Sequence, residues 1–135
     1  MIGDIGGGET LTPGVYSEGD APDSLTITGD LILDGGGDPN AVFVFQTDTT
    51  LITAAGSEIT LTNGAQACNV FWQVGTSATL GTNSTFVGTI MALASITDDG
   101  GSTVEGRLLA DADDNTVGAV TLNDTSVTVP TCAES

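Results

Sequence analysis

Ala78-Thr79-Leu80 … Ser84-Thr85-Phe86-Val87-Gly88, Ala94-Ser95-Ile96-Thr97 … Ser102-Thr103-Val104-Glu105-Gly106 and Ala119-Val120-Thr121-Leu122 … Thr125-Ser126-Val127-Thr128-Val129 are three copies of one unit. Each is a short alternating strand, a polar turn and a second alternating strand. The first two copies end in a glycine corner. Thr85 and Thr103 are 18 positions apart and Thr103 and Ser126 are 23 apart, the excess lying in an Asp-rich insert at 111–116. An earlier copy is Ile52-Thr53 … Ser57-Glu58-Ile59-Thr60-Leu61. Gln46 and Gln73, like Ile59 and Phe86, are 27 apart, which carries the pattern back to Val42. Periods of this size, built from strands with no helical unit between them, predict the coils of a β-solenoid. Such a coil stacks like side chains into ladders, and ladders are binding surfaces.

Outward from the repeats, Met1–Gly8 is rich in glycine and gives no assignment. Thr12-Pro13-Gly14 is a turn signal leading into Val15-Tyr16. Ser24–Leu33 alternates, with Leu25, Ile27, Leu31 and Leu33 inward and Thr26 and Thr28 outward. Asp34–Asn40 reads as a turn. Strands are then expected at Val42–Gln46, Thr50–Thr53, Glu58–Thr62, Val70–Val74, Ala78–Leu80, Thr85–Ala92, Ser95–Thr97, Thr103–Ala110, Val120–Leu122 and Ser126–Val129. The apolar period is two nearly everywhere, so little or no helix is expected. The expected core is Ile27, Leu33, Ile59, Leu80, Phe86, Ile96, Val104, Leu122 and Val127, in one all-β domain spanning residues 1–135.

Composition narrows the function. The chain has 18 acidic residues against a single basic one, Arg107, and no histidine, for a net charge of −17. Nucleic-acid binding by phosphate neutralisation needs a basic footprint and is excluded. Docking on anionic membranes is opposed as well. The acidity serves solubility and suits a high-salt medium, where screening removes self-repulsion. With no histidine or lysine, only carboxylate chemistry would be open to an enzyme, and the acids lie in turns rather than converging on one strand face; no enzyme and no cofactor are expected. Asp111-Ala112-Asp113-Asp114-Asn115 is dense in oxygen ligands but lacks the glycine and distal Glu of a defined calcium loop, so no metal site is expected.

Cys68 and Cys132 are expected to form a disulfide that ties the final strand to a middle coil. Neither thiol has a histidine to activate it, and their spacing is not that of zinc ligands. A bridge implies an oxidising, extracellular or cell-surface location. The start, Met1-Ile2-Gly3-Asp4, has no charged or apolar leader region, and reads as a mature domain or a segment of a longer chain.

Four segments are apolar at consecutive positions: Val42-Phe43-Val44-Phe45, Val70-Phe71-Trp72, Ile90-Met91-Ala92-Leu93 and Leu108-Leu109-Ala110. That pattern predicts burial on both faces. Phe43 or Val44, Phe71, Met91 and Leu109 are therefore expected to stack into an outward apolar stripe that needs a cover. The cover is either a missing segment or another molecule, giving a homo-oligomer or filament.

Thr10-Leu11-Thr12-Pro13-Gly14-Val15-Tyr16, Leu33-Asp34-Gly35-Gly36-Gly37-Asp38-Pro39-Asn40-Ala41-Val42-Phe43-Val44-Phe45-Gln46 and Asn63-Gly64-Ala65-Gln66-Ala67-Cys68-Asn69-Val70-Phe71-Trp72-Gln73-Val74-Gly75 closely resemble the ice-binding-like family with the DUF3494 domain. Ser77-Ala78-Thr79-Leu80-Gly81-Thr82, Phe86-Val87-Gly88-Thr89-Ile90 and Gly106-Arg107-Leu108-Leu109-Ala110 continue the match. The resemblance covers nearly the whole chain, but only about the last two-thirds of the usual family domain. It implies a right-handed, irregular β-solenoid of triangular section. The family's opening coil and the long helix packed along one side have no counterpart here. It further implies adsorption to ice or ordered water through a flat face.

The physics suits that function. Neighbouring coils lie about 4.8 Å apart and alternate residues about 6.8 Å apart. Thr hydroxyls and methyls on that grid hold water in an ice-like arrangement. Two ladders qualify: Thr53, Thr79, Ser95, Thr97 and Thr121, which alternates most cleanly and is preferred, and Thr60, Thr85, Thr103, Ser126 and Thr128. Exposed β-positions also favour threonine for reasons unrelated to ice. The Thr-(Ala/Gly)-x-(Thr/Asn) string of some active members is not on either ladder; Thr53-Ala54-Ala55-Gly56 fails at its last position. Carboxylates at Glu58, Asp98, Asp99, Glu105 and Asp124 lie near the ladder ends. The alternative is a structural, self-assembling or adhesive surface protein without ice activity.

Overall fold

The computed structural model describes residues 4–18, 25–110, 120–122 and 125–128. The chain winds through successive coils, the first three of which each contribute three short strands. The first coil supplies β1 (Asp4–Gly6), β2 (Glu9–Leu11) and β3 (Gly14–Glu18); the second supplies β4 (Leu25–Thr28), β5 (Asp30–Asp34) and β6 (Phe43–Thr47). The third supplies β7 (Leu51–Thr53), β8 (Glu58–Thr62) and, after a 3-10 turn at Ala67–Asn69, β9 (Val70–Val74). In the next two coils the second and third strands fuse: β10 (Ala78–Leu80) with β11 (Thr85–Ala92), and β12 (Ile96–Asp98) with β13 (Thr103–Ala110). The last contributes β14 (Val120–Thr121) and β15 (Ser126–Thr128).

Every pairing among the described strands is parallel. The first face is the sheet β1-β4-β7-β10-β12-β14. The second and third faces belong to one bent sheet, β2-β5-β8-β11-β9-β6-β3, with β13 on β11 and β15 on β13. The bend runs through β11. Thr85 pairs with Glu58 of β8, while Thr89–Ala92 pairs with 71–74 of β9. Gly88 makes that corner at φ 118°, a left-handed conformation that a side chain resists. A Cβ on Gly106, its partner one coil on, would run into the Gly88 carbonyl.

Period two drives burial. On the first face Leu25, Leu51, Ala78 and Ile96 form one inward column, and Ile5, Ile27, Thr53, Leu80 and Asp98 form another. Inside the third face Tyr16, Phe45 and Trp72 stack with ring centroids 5.4 and 4.0 Å apart, and Trp72 meets Phe86 at 5.1 Å. The Trp72 indole N–H donates to the Val87 carbonyl at 2.9 Å, which lets an amphipathic ring sit fully buried. A polar column lies inside the corner between the first two faces. Ser84 and Ser102 hydroxyls meet at 3.1 Å, and Ser102 donates to the Gly81 carbonyl at 3.0 Å.

Of the expected core, Ile27, Leu33, Ile59, Leu80, Phe86, Ile96 and Val104 are buried. Leu122 and Val127 are not, at 43% and 40% exposure. Val127 continues the Val104 column on the last described strand of its face, where it has a neighbour on one side only among the described residues.

The apolar stripe also needs correction. Phe43 points inward and is fully buried, so Val44 is the outward residue. Register then divides the stripe into two columns, Val15-Val44-Phe71-Thr89-Arg107 and Ser17-Gln46-Gln73-Met91-Leu109. Phe71 and Met91 face outward two positions apart, so they never stack. Burial on both faces holds only in part: Val44 and Phe71 are half-buried, whereas Met91 and Leu109 are 40% and 52% exposed.

Candidate functional site

The turns that lead onto β7, β10 and β12 bring out Thr50, Ser77 and Ser95, each two positions before the outward residue of its strand. Leu51, Ala78 and Ile96 are apolar and go inward, which sends both of their neighbours outward. The outer surface therefore carries two columns. One is Thr26-Ile52-Thr79-Thr97-Thr121, each pair in direct Cα register. The other is Thr50-Ser77-Ser95. Its register follows from the backbone hydrogen bonds Leu25 to Thr50, Leu51 to Ser77 and Ala78 to Ser95, of 2.9, 3.1 and 2.9 Å. The strands are short and in strict parallel register. Their outer atoms form a grid about 4.8 Å by about 6.8 Å.

This grid is the preferred ladder with one member exchanged and one moved. Thr79, Thr97 and Thr121 stand in a single column, as the repeat implies. Ser95 faces outward but in the neighbouring column. Thr53 is not on the surface at all. Leu80 is its register partner, it is 3% exposed, and its hydroxyl accepts the Gly81 N–H at 2.9 Å. Ile52 holds the outward place. The error came from aligning threonine with threonine; parity counted from the buried Leu51 puts Ile52 outside and Thr53 inside.

Thr26, Thr50 and Ser77 are the site residues that sequence reasoning missed. A signal was present: Ser24-Leu25-Thr26, Ser77-Ala78-Thr79 and Ser95-Ile96-Thr97 share the pattern hydroxyl, apolar, threonine.

The second ladder breaks up in a different way. Thr85, Thr103 and Ser126 do align, but the column continues through Glu58 and Asp30. Thr60 belongs two positions on, beside Thr10 and Ile32, and Thr128 stands beside Glu105. The Thr60 hydroxyl donates to the Glu58 carboxylate at 3.2 Å, so this surface organises its hydroxyls around charge. Carboxylates bind water strongly and in their own geometry, which opposes an ice-like layer.

Outside the two ladders little chemistry converges. Among the described residues no group of three or more His, Cys, Asp or Glu is placed to hold a metal ion. The acidic run Asp111–Asn115 lies outside the described residues. Asp34 ties the Asp34–Asn40 turn: its carboxylate accepts the Gly36 N–H and the Asn63 amide, both at 2.8 Å, and these hold it below the usual carboxylate range. Cys68 is not a free thiol; Cys132, its expected partner, lies outside the described residues. Buried Asp98 accepts the Gly100 N–H at 2.8 Å and is turned into the coil, away from the hydroxyl grid.

Comparison with known proteins adds independent evidence. The model of a family described as ice-binding-like matches residues 1–128. An ice-binding protein of Nostoc sp. (strain HG1) is 52% identical over 122 residues, covering 90% of this chain and 42% of that protein. The solved ice-binding protein of the Antarctic ascomycete Antarctomyces psychrotrophicus superposes with a TM-score of 0.84 at 46% identity, over 98% of this chain and 59% of that one. An ice-binding protein from an Antarctic Flavobacteriaceae bacterium gives a TM-score of 0.89 at 37% identity, over 100% of this chain and 30% of that one. The chain thus spans between 30% and 59% of the length of these relatives.

Proposed function

This chain belongs to the ice-binding-like family, and we propose that it is an ice-binding module that adsorbs through the hydroxyl grid of its first face. The observation that carries the reading is the register of Thr79, Thr97 and Thr121, with Ser77 and Ser95 beside them. Water molecules bridged between fixed hydroxyls, with threonine methyls between them, adopt lattice spacing before ice arrives. Binding then costs little further ordering, because the protein has already done it. A parallel coil supplies the required stiffness: β4, β7, β10 and β12 are each held on both sides by backbone hydrogen bonds, and the inward columns are packed against one another.

Three further features belong to this reading. The faces close into a right-handed coil of triangular section. Cys68 and Cys132 are bridged, in keeping with an extracellular or surface-associated location where ice is met. The work done at the surface is adsorption, not turnover, as the names of the relatives describe ice-binding proteins rather than enzymes. Those same names speak against a purely structural, self-assembling role.

The direct test is adsorption of fluorescently labelled chain to a single-crystal ice hemisphere, together with ice shaping in a nanolitre osmometer. Stable labelling of the ice and faceted growth are expected. An unlabelled hemisphere and round, unrestrained crystals at high protein concentration would overturn the proposal.

A further inference from the structure

Ile52 interrupts the hydroxyl column in its middle. It is in register with Thr26 on one side and Thr79 on the other, and Thr50 lies two positions before it, just ahead of β7. It is 38% exposed, whereas Thr26 and Thr79 are half-buried. Side-chain length separates the two residue types. Threonine and isoleucine share branching at Cβ, but isoleucine carries a δ-methyl one carbon–carbon bond, about 1.5 Å, beyond the γ-atoms. That methyl stands above the level set by the threonines. It also offers no hydrogen bond to the water over it, in a column that is threonine on β4, β10, β12 and β14 and ends in Asp4 on β1.

We infer that Ile52 marks the edge of the working ice plane, confining contact to the rungs of β10, β12 and β14 and separating Thr26 from them. The inference rests on the proposed function of the same face. It adds that the face is only partly used, and that one residue sets how far the contact extends. Two physical effects are combined at this position, protrusion and the missing hydroxyl, and substitution separates them. Ile52→Thr removes both. Ile52→Val removes the protruding methyl and leaves the hydroxyl missing. Both keep a β-branched residue that suits the strand.

The experiment measures thermal hysteresis and ice-plane adsorption at equal molar concentration for the parent, Ile52→Thr, Ile52→Val and Thr79→Tyr. Ile52→Thr is expected to exceed the parent, with Ile52→Val in between, and Thr79→Tyr to lose activity. Ile52→Thr equal to or below the parent, while Thr79→Tyr still abolishes activity, would overturn the role of Ile52 and leave the ice face standing. If Thr79→Tyr keeps full activity, or if neither the parent nor Ile52→Thr binds ice, the face itself is wrong and the inference falls with it. Circular dichroism melts of all four proteins distinguish a lost surface from a lost fold.

Discussion

Thr79→Tyr is the most informative single change on the first face. Thr79 lies on β10, the fourth of six strands in the sheet, with Ile52 and Thr97 as register partners. Five inter-strand steps make the face about 24 Å long. A tyrosine side chain reaches about 6.5 Å from its Cα where threonine reaches about 2.5 Å, so its ring would stand about 4 Å proud. One hydrogen-bonded water layer occupies only about 2.8 Å. A post taller than a water layer, set on the first of the three rungs inferred to touch ice, lifts the rungs of β12 and β14 out of contact with it. The loss of hysteresis and ice shaping should be near complete rather than a fraction of one rung. Stability should hardly move, because the side chain points to solvent and leaves every ladder hydrogen bond in place. A change within about 0.5 kcal/mol corresponds to a melting shift of about 2 °C in a domain this size. Nanolitre osmometry and a thermal melt on one preparation provide both readouts. Retained hysteresis in Thr79→Tyr and Thr97→Tyr, with loss in Thr103→Tyr, would refute the argument and move the site to the second face despite its carboxylates.

Four other outcomes are expected. Gly106→Ala should destabilise by about 3 kcal/mol in denaturant titrations, because its Cβ meets the Gly88 carbonyl at a corner where backbone cannot retreat; a neutral result would mean that the corner is softer than its register implies. Asp34→Ala should lower the melting temperature at pH 7 and lose that effect in strong acid. The folded carboxyl is held low by the Gly36 N–H first and the Asn63 amide second, so its contribution is present above the ordinary carboxylate range and vanishes as pH falls through the folded value; an equal loss at both pH values would contradict it. Labelling of unfolded, unreduced protein should find no free thiol, whereas two reactive thiols would refute the Cys68–Cys132 bridge. Met91 and Leu109, with Leu93 beside them, leave an exposed apolar strip at the edge of the third face. Light scattering should therefore show association that grows with salt as the charge is screened, and Met91→Asp should weaken it; a monodisperse parent at every salt concentration would count against that contact.

The fold was legible because period two is a local property. From Val42 to Thr128 the strands fall close to where alternation and glycine corners put them, since an inward Leu25 or Leu80 decides its strand without reference to any other coil. Strand β1 was not legible: Asp4–Gly6 sits among glycines, and its place is decided by pairing with Thr26–Thr28 of the next coil. The site was legible only where repeat spacing and register coincide. Thr79, Thr97 and Thr121 sit at like places in like units, and they align. Thr53 sits one residue past its like place, and one residue in a strand is the difference between the outer surface and the core. The same rule decided the apolar stripe, where Phe43 and Val44 could not be told apart by hydropathy but are opposite in parity. What composition hides, parity from one secure inward residue recovers. Counted from Leu51, the outward residues of β7 and its approach are Thr50 and Ile52, and the imperfect rung of this face comes into view from the sequence itself.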